Sequence, residues 1–224
     1  MKKTLQLKPL LLSMAVAASA AATVAPATVQ AGVSANAGMV STYVFRGVLQ
    51  TATEKSTASA GVDYEHESGI YVGTWGSSLD DADNLEYDLY AGWGGEFNGV
   101  ALGAGVTGYY YTDGAATAFE EMNLSAGYGP VSIAYDFGKA KPDVGDDTDY
   151  SHLAISAEYA GFTGTFGIND AEDYKGEDTY LQVDYGFEIA KGVDGSISYI
   201  NFKAEGVDSK DYLIFGVSKS FDVM

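Results

Sequence analysis

Residues 85–97 read LEYDLYAGWGGEF, and apolar and polar side chains alternate along this stretch. The odd-numbered positions carry the large apolar side chains, while the even-numbered positions include Glu86, Asp88 and Glu96. Successive side chains of a β-strand point to opposite faces, whereas a helix repeats every 3.6 residues. The stretch therefore predicts a strand with one apolar and one polar face.

The same alternation recurs along the chain after Gly32. It predicts twelve strands, at 33–46, 57–66, 70–79, 85–97, 100–112, 118–128, 131–140, 149–160, 162–169, 178–189, 195–203 and 210–221. Their lengths are close to the roughly 9–11 residues of a tilted membrane strand, and their number is even, as in bacterial single-chain barrels. We expect an all-β fold, a transmembrane antiparallel up-and-down β-barrel. The alternation does not fix which faces of 70–79 and 195–203 point inward.

The predicted connections differ in length in a regular way. The long ones are 47–56, 80–84, 113–117, 141–148, 170–177 and 204–209, and the short ones are 67–69, 98–99, 129–130, 161 and 190–194. A membrane barrel with both termini in the periplasm has tight turns there and longer loops outside. A soluble β-sandwich has no reason to sort its connections in this way.

The alternation alone does not say which face of the strands points outward. A soluble barrel turns its apolar face inward, whereas a transmembrane barrel turns it towards lipid. Aromatic residues fall on the apolar face near strand ends, which suits interfacial girdles. Twelve strands also enclose an interior too wide to fill as a dry apolar core. Both observations favour the membrane barrel over a soluble periplasmic β-protein or adhesin.

The N-terminus has the pattern of a secretory signal peptide. Lys2 and Lys3 precede an apolar run over 9–24, and Val29-Gln30-Ala31 fits a small-x-small cleavage site. We predict a signal peptide over 1–31 and an outer-membrane β-barrel over 32–224, with a retained anchor as the alternative. The expected location is the Gram-negative outer membrane. The expected partners are membrane lipid, lipopolysaccharide and the barrel-assembly machinery, for which Phe221 is the candidate signal.

The polar faces predict an acidic lumen with a single base. The candidate pore-lining residues are Arg46, Asp63, Glu65, Glu86, Asp88, Glu96, Glu121, Asp136, Glu158, Asp184 and Glu188. Acidic rings attract cations, so the sequence predicts a porin-like passive diffusion channel for small hydrophilic solutes with a preference for cations. The alternative is a non-conducting barrel with a structural, adhesion or receptor role. A net charge of -19 disfavours nucleic acid as a partner.

Arg46, which the strand prediction places near the outer mouth, supports two interpretations. It could form a constriction or bind a solute carboxylate, or it could form an ion pair that fixes the first strand.

The sequence predicts neither an enzyme nor a cofactor or metal site. It contains no cysteine, no Gly-x-Ser-x-Gly elbow and only two histidines, His66 at a short turn and His152 at an outer strand end. The acidic segments 80–84 and 143–149 lack the spacing of an EF-hand loop. We therefore expect them to be solvated loops.

A motif at the predicted end of the first strand resembles a known family. Residues 41–50 read Ser-x-Tyr-x-Phe-Arg-Gly-x-x-Gln, a pattern similar to the start of TorF-type porins, the Gcw_chp family. Residues 71–78 and 85–92 are also similar to that family. The resemblance implies a proteobacterial outer-membrane barrel of unassigned substrate.

Overall fold

The computed structural model describes residues 31–79, 84–112, 117–172 and 177–223. All but the last residue of the predicted signal peptide lies outside these ranges, as do parts of three predicted long loops.

The described residues form one closed β-barrel and one small hairpin. The barrel strands are β1 (Gly32–Val40), β4 (Thr57–Glu65), β5 (Ile70–Ser78), β6 (Leu85–Phe97), β7 (Val100–Tyr111), β8 (Ala118–Tyr128), β9 (Val131–Lys141), β10 (Thr148–Tyr159), β11 (Phe162–Ala171), β12 (Asp178–Ala190), β13 (Val193–Lys203) and β14 (Lys210–Asp222). The hairpin consists of β2 (Val44–Phe45) and β3 (Val48–Leu49).

The barrel closes where its first and last strands pair. β1 pairs antiparallel with β14, from Ser34 opposite Asp222 to Val40 opposite Gly216, and with β4 on its other side. Every other barrel strand pairs antiparallel with its neighbours in sequence. A closed sheet leaves no unpaired edge, as a membrane requires of strands. The predicted twelve-stranded, all-β, up-and-down barrel is confirmed.

The connections are sorted between the two ends of the barrel. At one end lie tight turns such as Asn98-Gly99, where φ is 53° and 79°. Positive φ at both central residues is the type I′ turn, whose twist matches that of the flanking strands. The first and last barrel strands also reach this end, which we call the short-turn end. The long connections lie at the opposite, long-loop end.

The outer surface of the barrel is apolar. Large side chains such as Leu89, Val106 and Leu124 are exposed on it, while most inward positions carry small or polar residues. This is the arrangement of a membrane barrel. The structure also fixes the two strands of ambiguous phase, with Tyr71 and Trp75 inward on β5 and Ser198 and Ile200 inward on β13. Trp75 and Ile200 are large apolar exceptions among the inward residues, since Ile200 belongs to a buried cluster and Trp75 packs against it. The described residues include no apolar helix of membrane-spanning length.

The predicted first strand is wrong over its last residues. β1 ends at Val40, and the next residues leave the wall and fold into the barrel interior, where β2 and β3 form. The segment predicted as an outer loop, 47–56, therefore begins inside the barrel. We call residues 43–50 the lumen hairpin. Its side chains fill part of the lumen that the side chains of the twelve strands leave open.

The orientation of the wall gives the first prediction. Leu124, 43 % exposed at the middle of β8, should face the bilayer core, and Leu124→Arg should destabilise the folded barrel by about 2–4 kcal/mol. Tyr128, 71 % exposed at the short-turn end of the same strand, is the matched control, for which Arg should cost about 0–1 kcal/mol. Urea titration of folding into lipid vesicles measures both. Equal costs would contradict the assigned position of the membrane.

Candidate functional site

The lumen hairpin turns at Arg46 and Gly47. Val44 pairs with Leu49 and Phe45 with Val48. Arg46 and Gly47 therefore form a two-residue turn, with φ of 50° and 84°. The backbone N–H of Gln50 donates to the carbonyl of Tyr43 at 2.9 Å and closes the base of the hairpin. Positive φ is costly for arginine, by about 1–3 kcal/mol, and persists only where the surroundings hold it.

Two carboxylates of the barrel wall hold the Arg46 side chain. Nη1 and Nη2 donate to Oε2 and Oε1 of Glu121, each at 2.9 Å, and Nη2 also donates to Oδ2 of Asp136 at 2.8 Å. All three side chains are buried. Paired charged hydrogen bonds of this kind fix position as well as adding stability. Removing one partner of a buried pair typically costs about 3–5 kcal/mol.

Neighbouring wall residues complete the hydrogen bonding of these carboxylates. Tyr109 and Tyr150 donate their hydroxyls to Glu121, at 2.7 Å and 3.0 Å. Asn123 donates to both Glu121 and Asp136, at 2.8 Å and 2.9 Å. Burial alone would lower the pKa of Arg46, but Tyr109, Glu121 and Asp136 outweigh it and raise that pKa above its ordinary value. The Arg46 guanidinium therefore stays charged.

His152 belongs to the same network, although its position in the sequence does not predict this role. Its Nδ1 lies 2.9 Å from Oδ2 of Asp136, and its Nε2 lies 3.0 Å from the hydroxyl of Tyr180. The sequence suggested only that His152 lies at a strand end. The sequence pattern that could have indicated this role is the inward position of His152 on β10, two residues from Tyr150 on the same face.

The other side of the hairpin contacts β5, β6 and β7. Tyr43 donates its hydroxyl to Oε1 of Glu86 at 2.9 Å, and its ring lies 5.9 Å from that of Trp75. The Phe45 ring lies 5.6 Å from that of Tyr109. Burial and the nearby Glu86 raise the pKa of Tyr43 well above its ordinary value, so the hydroxyl keeps the proton that it donates.

Apolar packing and a backbone contact anchor the hairpin to the remaining wall. Tyr43 and Val44 belong to a buried cluster that includes inward side chains of β12, β13 and β14, namely Tyr180, Ile200, Tyr212 and Ile214. Asn169 of β11 donates to the carbonyl oxygen of Arg46 at 2.9 Å. The hairpin thus spans the lumen and is fastened on opposite sides of it.

The predicted lumen acids occupy inward positions and separate into three groups. Those buried around the hairpin are Glu86, Asp88, Glu121 and Asp136. Those partly buried are Asp63, which accepts from Tyr90 and Asn36, and Asp184, which accepts from Gln182. Those exposed near the short-turn end are Glu65, Glu96, Glu158 and Glu188.

The predicted position of Arg46 needs correction. It lies at the tip of the lumen hairpin rather than on the wall of the first strand, and its side chain is buried inside the barrel. Of the two interpretations of Arg46, the ion pair agrees with its contacts to Glu121 and Asp136. These contacts hold the lumen hairpin, however, and not the first strand.

The described residues include no group of three or more acids, histidines or cysteines placed to hold a metal ion. The acidic segment 143–149 belongs to this part of the chain, whereas 80–83 lies outside it.

Residues 21–220 match the model of a family described as a bacterial protein of unknown function, Gcw_chp. The chain belongs to the Gcw_chp family. Its motif at 41–50, which carries the resemblance in the sequence, contains the whole lumen hairpin of this chain. A search of curated protein sequences gives no match.

The Gcw_chp barrel is similar in fold to solved outer-membrane porins. The KdgM porin is 10% identical, with a TM-score of 0.54 over 85% of this chain and 99% of that chain. The same porin in complex with disordered oligogalacturonate is 10% identical, with a TM-score of 0.53 over 85% of this chain and 99% of that chain. A chain from a study of in-meso crystallisation of membrane proteins is 8% identical, with a TM-score of 0.56 over 87% of this chain and 84% of that chain. At these identities the similarity shows the fold.

Gly47 provides a test of the hairpin packing. A Cβ at this position would lie 2.7 Å from Cδ2 of Phe202 and 2.8 Å from Cβ of Tyr180, at a φ of +84°. We expect Gly47→Ala to lower the unfolding free energy by about 1–3 kcal/mol more than backbone strain alone, because the added methyl overpacks the contact.

The matched control is Gly206→Ala. Gly206 has a φ of +75° and nothing within 4 Å of an added Cβ, so this variant carries the backbone strain without the clash. Urea midpoints of the two variants measure the difference. Equal midpoints would show that the hairpin does not pack against β12 and β13.

Proposed function

We propose that this Gcw_chp barrel is a porin-like channel of the Gram-negative outer membrane, passing small hydrophilic solutes and preferring cations. The apolar exterior and the polar interior support a membrane channel. The lumen hairpin is then the constriction that solutes must pass. Lipopolysaccharide and membrane lipid surround the barrel in this proposal, and the assembly machinery inserts it.

The cation preference rests on the balance of charge inside the barrel. Arg46 carries one positive charge and is paired with two acids, Glu121 and Asp136, so this group leaves no excess of positive charge. The exposed acids near the short-turn end, Glu65, Glu96, Glu158 and Glu188, form no ion pair with a described base. Such a lumen attracts cations and repels anions. It also disfavours a polyanion such as the oligogalacturonate named with the KdgM porin.

Planar-bilayer recording of the refolded protein under a KCl gradient tests the proposal. The reversal potential should have the sign of a cation-preferring channel. Glu96→Gln with Glu188→Gln should reduce this preference, because both acids face the lumen. Asp149→Asn with Asp211→Asn removes two outward-facing acids and should leave the preference nearly unchanged. A preference for anions would contradict the proposal.

The hairpin is bonded to the wall on several sides, and this favours a second candidate function, a barrel that does not conduct. Gly47→Ala distinguishes the two because it loosens the hairpin. Conductance that increases in this variant supports a hairpin constriction in a channel. No current from either protein would overturn the channel and leave a structural, adhesion or receptor role.

A further inference from the structure

Two carboxylates beside the lumen hairpin are buried without a basic partner. Glu86 and Asp88 occupy successive inward positions of β6 and are 3 % and 8 % exposed. Oε2 of Glu86 and Oδ1 of Asp88 are buried and accept no hydrogen bond within the described part of the chain. Glu121 and Asp136 are different, because Arg46 forms an ion pair with each of them. Neither Glu86 nor Asp88 forms an ion pair with a base in the described part of the chain.

Aromatic side chains surround these two acids. Asp88 lies opposite Trp75 of β5 and Tyr109 of β7, and Glu86 lies opposite Tyr111 of β7. Directly opposed side chains on one face of a sheet are about 4.5–5.5 Å apart at Cβ. Tyr43 of the hairpin covers the group through its bond to Glu86 and its contact with Trp75. We call Glu86, Asp88, Tyr43, Trp75, Tyr109 and Tyr111 the aromatic-acid box.

The chemistry of the box selects one class of ligand. A carboxylate buried without a partner destabilises the fold, so the site gains stability from a bound cation. Hard metal ions such as Ca²⁺ or Mg²⁺ take about six or more oxygen ligands, and the box offers only two free carboxylate oxygens. Aromatic faces attract organic cations, most strongly where water is excluded. An organic ammonium ion can use both kinds of contact.

We propose that the aromatic-acid box binds a small organic ammonium ion, whose N–H groups donate to Oε2 of Glu86 and Oδ1 of Asp88. Its carbon atoms contact the surrounding rings. The site rests on the proposed preference for cations and identifies a class of solute for it.

Tryptophan fluorescence tests the site without requiring conduction. The chain has two tryptophans, and Trp93→Phe removes the one outside the box, leaving Trp75 as the reporter. Ethylammonium chloride is titrated into this variant, refolded in detergent, with NaCl keeping the ionic strength constant. We expect a saturable change in Trp75 emission. Binding should be at least about tenfold weaker after Glu86→Gln with Asp88→Asn, since tenfold is about 1.4 kcal/mol, close to the low end for one hydrogen bond to a charged group.

The matched control carries Asp149→Asn and Asp211→Asn, which remove two outward-facing acids outside the box and should leave the titration unchanged. A heat-dependent shift on gels confirms that each variant folds. If the double variant does not fold, Asp88→Asn alone replaces it, because this change keeps the bond between Tyr43 and Glu86. No saturable change, an equal change with NaCl alone, or full binding by the folded variant would overturn the site.

Fluorescence and conductance separate the two proposals. A protein that binds ethylammonium but passes no current would overturn the channel and retain the site. A protein that conducts cations without saturable binding would retain the channel and overturn the site.

Discussion

The Arg46 guanidinium, held between Glu121 and Asp136 at 2.8–2.9 Å, fixes the lumen hairpin inside the barrel. The three groups lie far apart in sequence, so this contact joins the first connection of the chain to the middle of the wall. Breaking it would leave two buried carboxylates uncompensated, at a cost of about 3–5 kcal/mol. The positive φ of Arg46 is tolerated because its side chain and its carbonyl oxygen are both bonded to the wall.

A barrel of twelve strands needs such an insertion if its interior is to be filled at all. The inward wall positions towards the short-turn end carry many small residues, among them Ala134, Ala154, Ser156 and Ser198. The hairpin brings large side chains to one level of the lumen, where Tyr43 and Val44 pack against β12, β13 and β14. Polar and apolar contacts therefore fasten different sides of the same hairpin. The acids towards the short-turn end remain exposed.

The wall could be predicted from the sequence, because each strand repeats a local rule with a period of two residues. β6 and β8 begin and end where alternation predicts, and the other boundaries agree within two residues except at β1. The error at β1 also has a physical cause. Alternation continues through Tyr43 and Phe45, and only the dipeptide Arg46-Gly47 marks a turn, without the Asn or Asp that type I′ turns favour. The lumen network depends on contacts between distant residues, so the sequence identified its acids but not the hairpin that binds them or His152.

Thiol labelling tests most directly whether the hairpin occupies the lumen. The chain has no cysteine, so a single introduced thiol is the only site of reaction. Val44 is fully buried (0 % exposed), while Lys55 in the same connection is exposed. In the folded barrel, Val44→Cys should resist a water-soluble maleimide until denaturant is added, and Lys55→Cys should react at once. Equal and rapid labelling at both positions would contradict a hairpin packed inside the barrel.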